Sequence, residues 1–191
     1  MEENRLKLRE KDLNFLQRNV ADFLTLSRVI IGLTVLALSL VGKSAYLTVV
    51  ILTLFGGATD IFDGRVARHY FGESREGRLG KYDADIDTFF LLCVMAYFSL
   101  TGIYNYRAVG LGWIGLVVIA AILSRRNMKV LIVSEIITVI SLLIITLLYD
   151  LRVFLAVIVP VFALGLVINR KRLIYIMFSY WPSLFFNRSR N

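Results

Sequence analysis

Long apolar runs separated by short charged clusters constrain this chain more than any other feature. Six runs can be read, at about 23–42, 44–68, 83–104, 108–124, 130–149 and 152–169. Each is long enough for an α-helix to cross the roughly 30 Å hydrocarbon layer of a bilayer. The expected fold class is therefore all-α, a polytopic membrane protein of six transmembrane helices. A hydrophobic share of 58% agrees, being well above that of an ordinary globular domain. No Pro/Gly/Ser-rich linker interrupts the 191 residues, so one domain is expected over 1–191. The single cysteine, Cys93, lies within an apolar run, which excludes an intrachain disulfide and a Cys-based metal site.

A net charge of +8 raises nucleic acid as a partner, but its distribution argues for lipid. Of the 22 Lys and Arg, only Lys43, Arg107 and Arg152 fall on one side of the six-span arrangement, leaving 22 − 3 = 19 on the other. Those 19 lie in the N-terminus, the 64–81 loop, the 125–129 loop and the C-terminus, or at the adjoining helix ends. By the positive-inside rule both termini are expected in the cytosol, with the protein integral to the cytoplasmic (inner) membrane and no nucleic-acid partner. The charged, polar first twenty residues do not resemble a cleavable signal peptide. Leu6, Leu13, Leu16 and Val20 recur there at helical spacing among Arg and Lys. Residues 1–20 are thus expected to form an interfacial amphipathic helix ahead of the 23–169 core. The tail, 170–191, combines Arg170-Lys171-Arg172 with Tyr175, Phe178, Tyr180, Trp181, Phe185 and Phe186, the composition of an interfacial anchor. A solvated basic end with no role beyond orientation explains either terminus equally well.

The chemistry concentrates in Asp60-Ile-Phe-Asp63-Gly64-Arg65-Val-Ala67-Arg68 and Gly80-Lys-Tyr-Asp83-Ala-Asp-Ile-Asp87. Span two ends, and span three begins, at the cytosolic boundary, so all four aspartates are expected at one depth. Asp60 and Asp63 are i,i+3 and Asp83 and Asp87 are i,i+4, so each pair shares a helix face. Asp85, about 200° around the helix from this pair, should point elsewhere. Carboxylates at a membrane boundary are costly, about 2.5–3.5 kcal/mol each at full depth, and persist mainly beside a cavity, a partner or a metal. Two Mg²⁺ or Mn²⁺ ions are the natural compensation, because both prefer carboxylate oxygen. Such a pair about 4 Å apart forms the clamp used in phosphoryl transfer. Arg65, Arg68, Arg78 and Lys81 crowd the same mouth and suit an anionic substrate. Gly64 and Ala67 allow close helix approach or leave room for a flat ligand, and Gly56-Gly57 are candidates for packing. A salt-bridge belt serving only topology is the plainer explanation of the same charges.

At these residues the chain resembles the CDP-alcohol phosphotransferases, integral membrane enzymes of phospholipid head-group synthesis. Their signature, D-x2-D-G-x2-A-R-x8-G-x3-D-x3-D, is met without a gap by Asp60, Asp63, Gly64, Ala67 and Arg68, and again by Asp83 and Asp87. The middle departs from it, and either Gly77 or Gly80 can be the motif glycine. Asn19-Val-Ala-Asp22-Phe-Leu24-Thr25-Leu-Ser-Arg28 also resembles the segment that opens the family's first span, without its proline. The resemblance implies a metal-dependent enzyme that transfers a phosphatidyl-type group from a CDP-linked lipid to a small alcohol and releases CMP. It implies that Asp60, Asp63, Asp83 and Asp87 bind two Mg²⁺ or Mn²⁺ ions. Asp87 would also be the catalytic base, and Asp63, Gly64, Ala67, Arg68, Gly80 and Thr25 would contact the CDP moiety. A homodimer is implied too.

Outside the motif, Arg125, Arg126 and Lys129 are candidates for an acceptor phosphate, or simply positive-inside residues. Glycerol 3-phosphate is the preferred acceptor, then inositol phosphate or serine. Arg28 reads as a snorkelling cation. Glu135, about a turn inside span five, calls for a partner, with Arg28 and Arg125 as candidates. The sole histidine, His69, lacks a companion ligand. Pro160 predicts a kink in span six. A divalent-cation transporter or channel that uses the Asp cluster as its ion site is the alternative from another class, and a catalytically inactive scaffold is a third.

Overall fold

The computed structural model describes residues 22–71, 82–103, 107–125 and 127–168, with the backbone alone at 60–71, 166 and 168. The amphipathic segment expected at 1–20, the anchor expected at 170–191, and Gly77, Arg78, Gly80, Lys81 and Arg126 lie outside the described residues. Every regular element among the described residues is helical. The order is α1 (22–38), a 3-10 turn (Gly42–Ala45), α2 (Tyr46–Phe71), α3 (Asp83–Leu100), α4 (Arg107–Leu123), α5 (Met128–Tyr149) and α6 (151–168). Each apolar run has become one helix. Two runs end early: α1 stops at 38, in turns closed by Ser39, Leu40 and Val41 N–H donating three residues back, and α3 stops at Leu100. Among the described residues, α5 is the one helix long and apolar enough to cross a membrane by length and composition. α4 is apolar too but shorter, at 17 residues.

The helices form two compact units, divided after Tyr149. In the first, α3 is the hub. Phe90, Cys93, Val94, Met95, Tyr97, Phe98 and Ser99 are all buried, so this helix is enclosed on most of its circumference. Glycines set the approach of its neighbours. A Cβ on Gly32 of α1 would lie 3.5 Å from the Phe90 Cα and 3.6 Å from the Cys93 sulfur. One on Gly56 of α2 would come within 2.6 Å of Phe90 Cζ, and one on Gly110 of α4 within 3.1 Å of Ser99 Cβ. Gly57, grouped with Gly56 as a packing candidate, faces open space.

Polar side chains fix the ends and the middle. Tyr97, fully buried, donates its hydroxyl to the Gly42 carbonyl at 2.9 Å, where Gly42 turns the chain with φ +82. Tyr46 packs edge-on against Phe98 and Tyr149, with centroids 6.1 and 4.9 Å away. Arg107 donates to the Ser99 and Leu100 carbonyls, satisfying acceptors that the end of α3 leaves open. Trp113 of α4 donates its indole N–H to the Thr138 hydroxyl of α5 at 2.9 Å.

These contacts also give directions. Along α2 the partners on α3 run backwards, Tyr46 with Phe98 and Gly56 with Phe90, so the two helices are antiparallel. Along α1 they run forwards, Arg28 with Asp83 and Gly32 with Cys93, so α1 and α3 are parallel. Arg125 ends α4 at φ +49, the left-handed conformation typical of a helix terminus. Asn127 then caps α5 by accepting the Lys129 N–H.

The second unit begins with Asp150, whose carboxylate accepts from the N–H groups of Arg152 and Val153. α6 then runs from Leu151 to Ile168 and is widened to a π-helical turn at Phe154–Ile158. Proline 160 explains that turn. Its ring crowds the carbonyl four residues earlier and it supplies no N–H, and a widened turn accommodates both. The kink expected at Pro160 is thus taken up by the turn that precedes it.

Candidate active site

Asp83 and Asp87 stand one turn apart at the start of α3, where the helix dipole favours negative charge. Both converge on a single cation. The two arms of the Arg28 guanidinium are shared between them, Nη2 lying 3.0 Å from Asp83 Oδ1 and Nη1 pairing with Asp87 Oδ1. The burial is graded, with Arg28 only 1% exposed while Asp87 and Asp83 are 25% and 38% exposed. Arg28 therefore backs the pair from inside the helical unit. Thr25, one turn earlier on the same flank of α1, is also buried.

A second polar contact lies beside the first. Thr88 donates its hydroxyl to Glu135 Oε1 at 2.8 Å, tying α3 to α5. Thr88 is a partner of Glu135 that sequence spacing does not point to. Arg28, expected to snorkel, instead has its head group buried. The spacing Thr25-x-x-Arg28 was the available signal, but sequence spacing within α1 does not reveal a partner on α3.

Asp60, Asp63, Gly64, Ala67 and Arg68 all fall on the continuous helical backbone of α2, and their side chains lie outside what the structure describes. The register of α2 against α3 still relates the two halves of the pattern. With Gly56 at Phe90, Asp60 is four residues onward along α2 and Asp87 three residues back along α3. Asp63 and Asp83 are each seven residues from the same contact. At about 1.5 Å per residue, the backbones of Asp60 and Asp87, and those of Asp63 and Asp83, stand level to within about one turn. The basic loop is at this end too. α5 runs parallel to α3, since Glu135 meets Thr88 and Tyr149 meets the Tyr46–Phe98 cluster. Lys129, six residues before Glu135, is therefore carried toward the Asp83 end, with Arg125 just before it; both are exposed.

The donor chemistry fits a hard divalent cation. A carboxylate has two oxygens and several acceptor positions, so pairing with arginine and binding a cation are compatible. Among the described residues no group of three acidic, histidine or cysteine side chains is gathered. The third and fourth acids would have to come from Asp60 and Asp63.

Among the described residues, Arg28, Asp83, Asp87, Arg125, Lys129 and Glu135 lie toward one end of a hydrophobic helical unit, with Lys43 and Arg107 at the other. A model of the CDP-alcohol phosphatidyltransferase family matches residues 18–169, and the chain belongs to that family. It is accordingly an enzyme of phospholipid synthesis that passes a phosphatidyl-type group from a CDP-alcohol to an alcohol. No significant match is found among curated proteins or among solved structures.

Proposed function

We propose that this enzyme uses a CDP-linked lipid such as CDP-diacylglycerol and delivers its phosphatidyl group to a small polar alcohol, with glycerol 3-phosphate preferred over inositol phosphate or serine. The observation that carries this reading is the convergence of Asp83 and Asp87 on buried Arg28, level with Asp60 and Asp63 of α2. Four carboxylates carry more acceptor oxygens than Arg28 engages, so they can still hold divalent cations beside it. Two Mg²⁺ or Mn²⁺ ions held by Asp60, Asp63, Asp83 and Asp87 would offset charge on the donor diphosphate and the departing CMP.

The chain's own residues do the rest. Asp87 accepts the proton of the acceptor hydroxyl as its oxygen bonds to the lipid-bearing phosphorus. The bond from that phosphorus to the CMP oxygen breaks, and CMP leaves. Gly64, Ala67 and Arg68, with Thr25 and Gly80, contact the CDP moiety, small residues giving the nucleotide room beside α2. Arg125, Arg126 and Lys129 draw in the acceptor phosphate.

All six helices cross the cytoplasmic membrane in this reading, with both termini and the acidic site on the cytosolic side. Large apolar side chains on α1, α4 and α5 support it: Phe23, Leu26, Ile30, Ile119, Ile122, Ile136 and Ile140 are among many that are exposed. So much exposed hydrocarbon suits lipid contact better than water. The protein works as a homodimer and as one domain across 1–191.

The test is to supply purified protein with CDP-diacylglycerol, Mg²⁺ or Mn²⁺, and a panel of alcohols, and to identify lipid products by mass spectrometry. A new phospholipid formed only with glycerol 3-phosphate supports the reading. Product formation only with an unphosphorylated alcohol would overturn the acceptor assignment. No product with any alcohol, from folded protein, would overturn the donor.

A further inference from the structure

We propose that Arg28 is a positioning residue for the acidic site, fixing the mutual orientation of Asp83 and Asp87 through a two-armed contact that lysine cannot reproduce. The inference rests on the reading above of a cation-dependent transferase and adds a residue to it. Three observations carry it. First, each carboxylate meets a different arm of the same guanidinium, Nη1 at Asp87 and Nη2 at Asp83. A planar fork of donors with fixed angles sets direction as well as charge, whereas an ammonium on a flexible stem sets charge alone. Second, a snorkelling arginine keeps its head group in water, but this one is 1% exposed behind two carboxylates that are far more open. The guanidinium thus lies on the interior side of both carboxylates. Third, the reach is built into the helix pair. Gly32, one turn further along α1, brings that helix to within 3.5 Å of the Phe90 backbone, measured from the Cβ that glycine lacks. α1 is thereby held close enough for Arg28 to lie across one full turn of α3.

The consequence is preorganisation. Two carboxylates a turn apart repel each other and would splay without a counter-charge. A cation arriving at such a pair would first have to draw them together. With Arg28 in place that ordering precedes cation binding, and partners of this kind commonly change metal affinity by about 10–100-fold when removed.

The experiment measures Mn²⁺ binding by electron paramagnetic resonance on the full-length protein in detergent, per folded molecule, alongside Mn²⁺-titrated CMP release. Arg28→Lys is expected to weaken Mn²⁺ binding by about tenfold, and Arg28→Gln by more, within the range that such partners set. The KM for CDP-lipid at saturating Mn²⁺ should move by less than about twofold, because no contact with the donor is lost. In an Asp87→Asn background the Arg28→Lys effect should shrink, since one arm has lost its partner's charge. Should Arg28→Gln fail to fold, Arg28→Lys retains the charge and still reports on the fork. Unchanged or tighter Mn²⁺ binding in folded Arg28→Lys would overturn the proposal. Wild-type protein that binds Mn²⁺ but releases no CMP would sink the reaction assignment alone, since binding still reports on Arg28. Absence of Mn²⁺ binding in the wild type would overturn both.

Discussion

The Phe90 ring lies so close to Gly56 that a single added methyl would come 2.6 Å from its Cζ. This contact is where α2 and α3 are locked in register. It is also the contact from which Asp60 and Asp63 on one helix and Asp83 and Asp87 on the other are counted. A shift of α2 by one turn, about 5.4 Å, would separate the two halves of the acidic pattern.

Gly56→Ala should therefore destabilise the protein by about 1–3 kcal/mol, the usual cost of overpacking a well-filled interior. It should lower CMP release beyond the loss of folded protein. Phe90→Leu, which removes the far edge of the ring, should restore part of both in the double variant. Thermal midpoints and single-turnover release on the four proteins of that cycle measure the coupling. Strict additivity would mean that the two residues do not share a contact that matters. Gly57→Ala is the control, and because its Cβ would meet open space it should be tolerated.

Thr88→Val should cost about 1–3 kcal/mol of stability, because it removes a hydroxyl donor from Glu135 while keeping the shape of the side chain. Glu135→Gln should cost less, since the amide oxygen can still accept from Thr88. Chemical denaturation in mixed micelles separates the two. The reverse order would show that the carboxylate charge, not the hydrogen bond, ties α3 to α5.

Tyr97→Phe should lower stability by about 1 kcal/mol through loss of the hydroxyl bond to Gly42. It should leave the kcat of CMP release unchanged, because Tyr97 is ten residues, about 15 Å, along α3 from Asp87. A fall in kcat with normal stability would contradict the division of α3 into an anchoring end and a reacting end.

Arg125→Ala should raise KM for a phosphorylated acceptor by about tenfold, with kcat and the KM of an unphosphorylated alcohol little changed. Equal effects on both acceptors would assign Arg125 to orientation in the membrane only.

The helices were legible because each apolar run is bounded by charges or turn residues, so run and helix differ only at the ends. Asp83 and Asp87 were legible as a pair because i,i+4 spacing is a property of one helix. Arg28 was not, although it lies in a recognisable segment, because spacing along α1 carries no information about which face of α3 it meets. The same holds for Thr88 and Glu135, 47 residues apart. Gly56 and Gly57 are adjacent and chemically identical, yet one is packed and the other open. Only the crossing of two helices distinguishes them. Pro160 announced a distortion, but not that the turn before it would widen.

The central claim is that Asp60 and Asp63 of α2 act in one site with Asp83 and Asp87 of α3. Acceptor-dependent CMP release from CDP-diacylglycerol, titrated with Mg²⁺ on the four single Asp→Asn variants, tests it most directly. The account predicts that each variant, shown to be folded, loses at least about a hundredfold in rate, as removal of a group from a shared catalytic site does. It also predicts that Asp60→Asn, Asp63→Asn and Asp83→Asn need more Mg²⁺ for whatever rate remains. Near wild-type release and Mg²⁺ dependence in Asp60→Asn and Asp63→Asn, with loss confined to Asp83→Asn and Asp87→Asn, would contradict it.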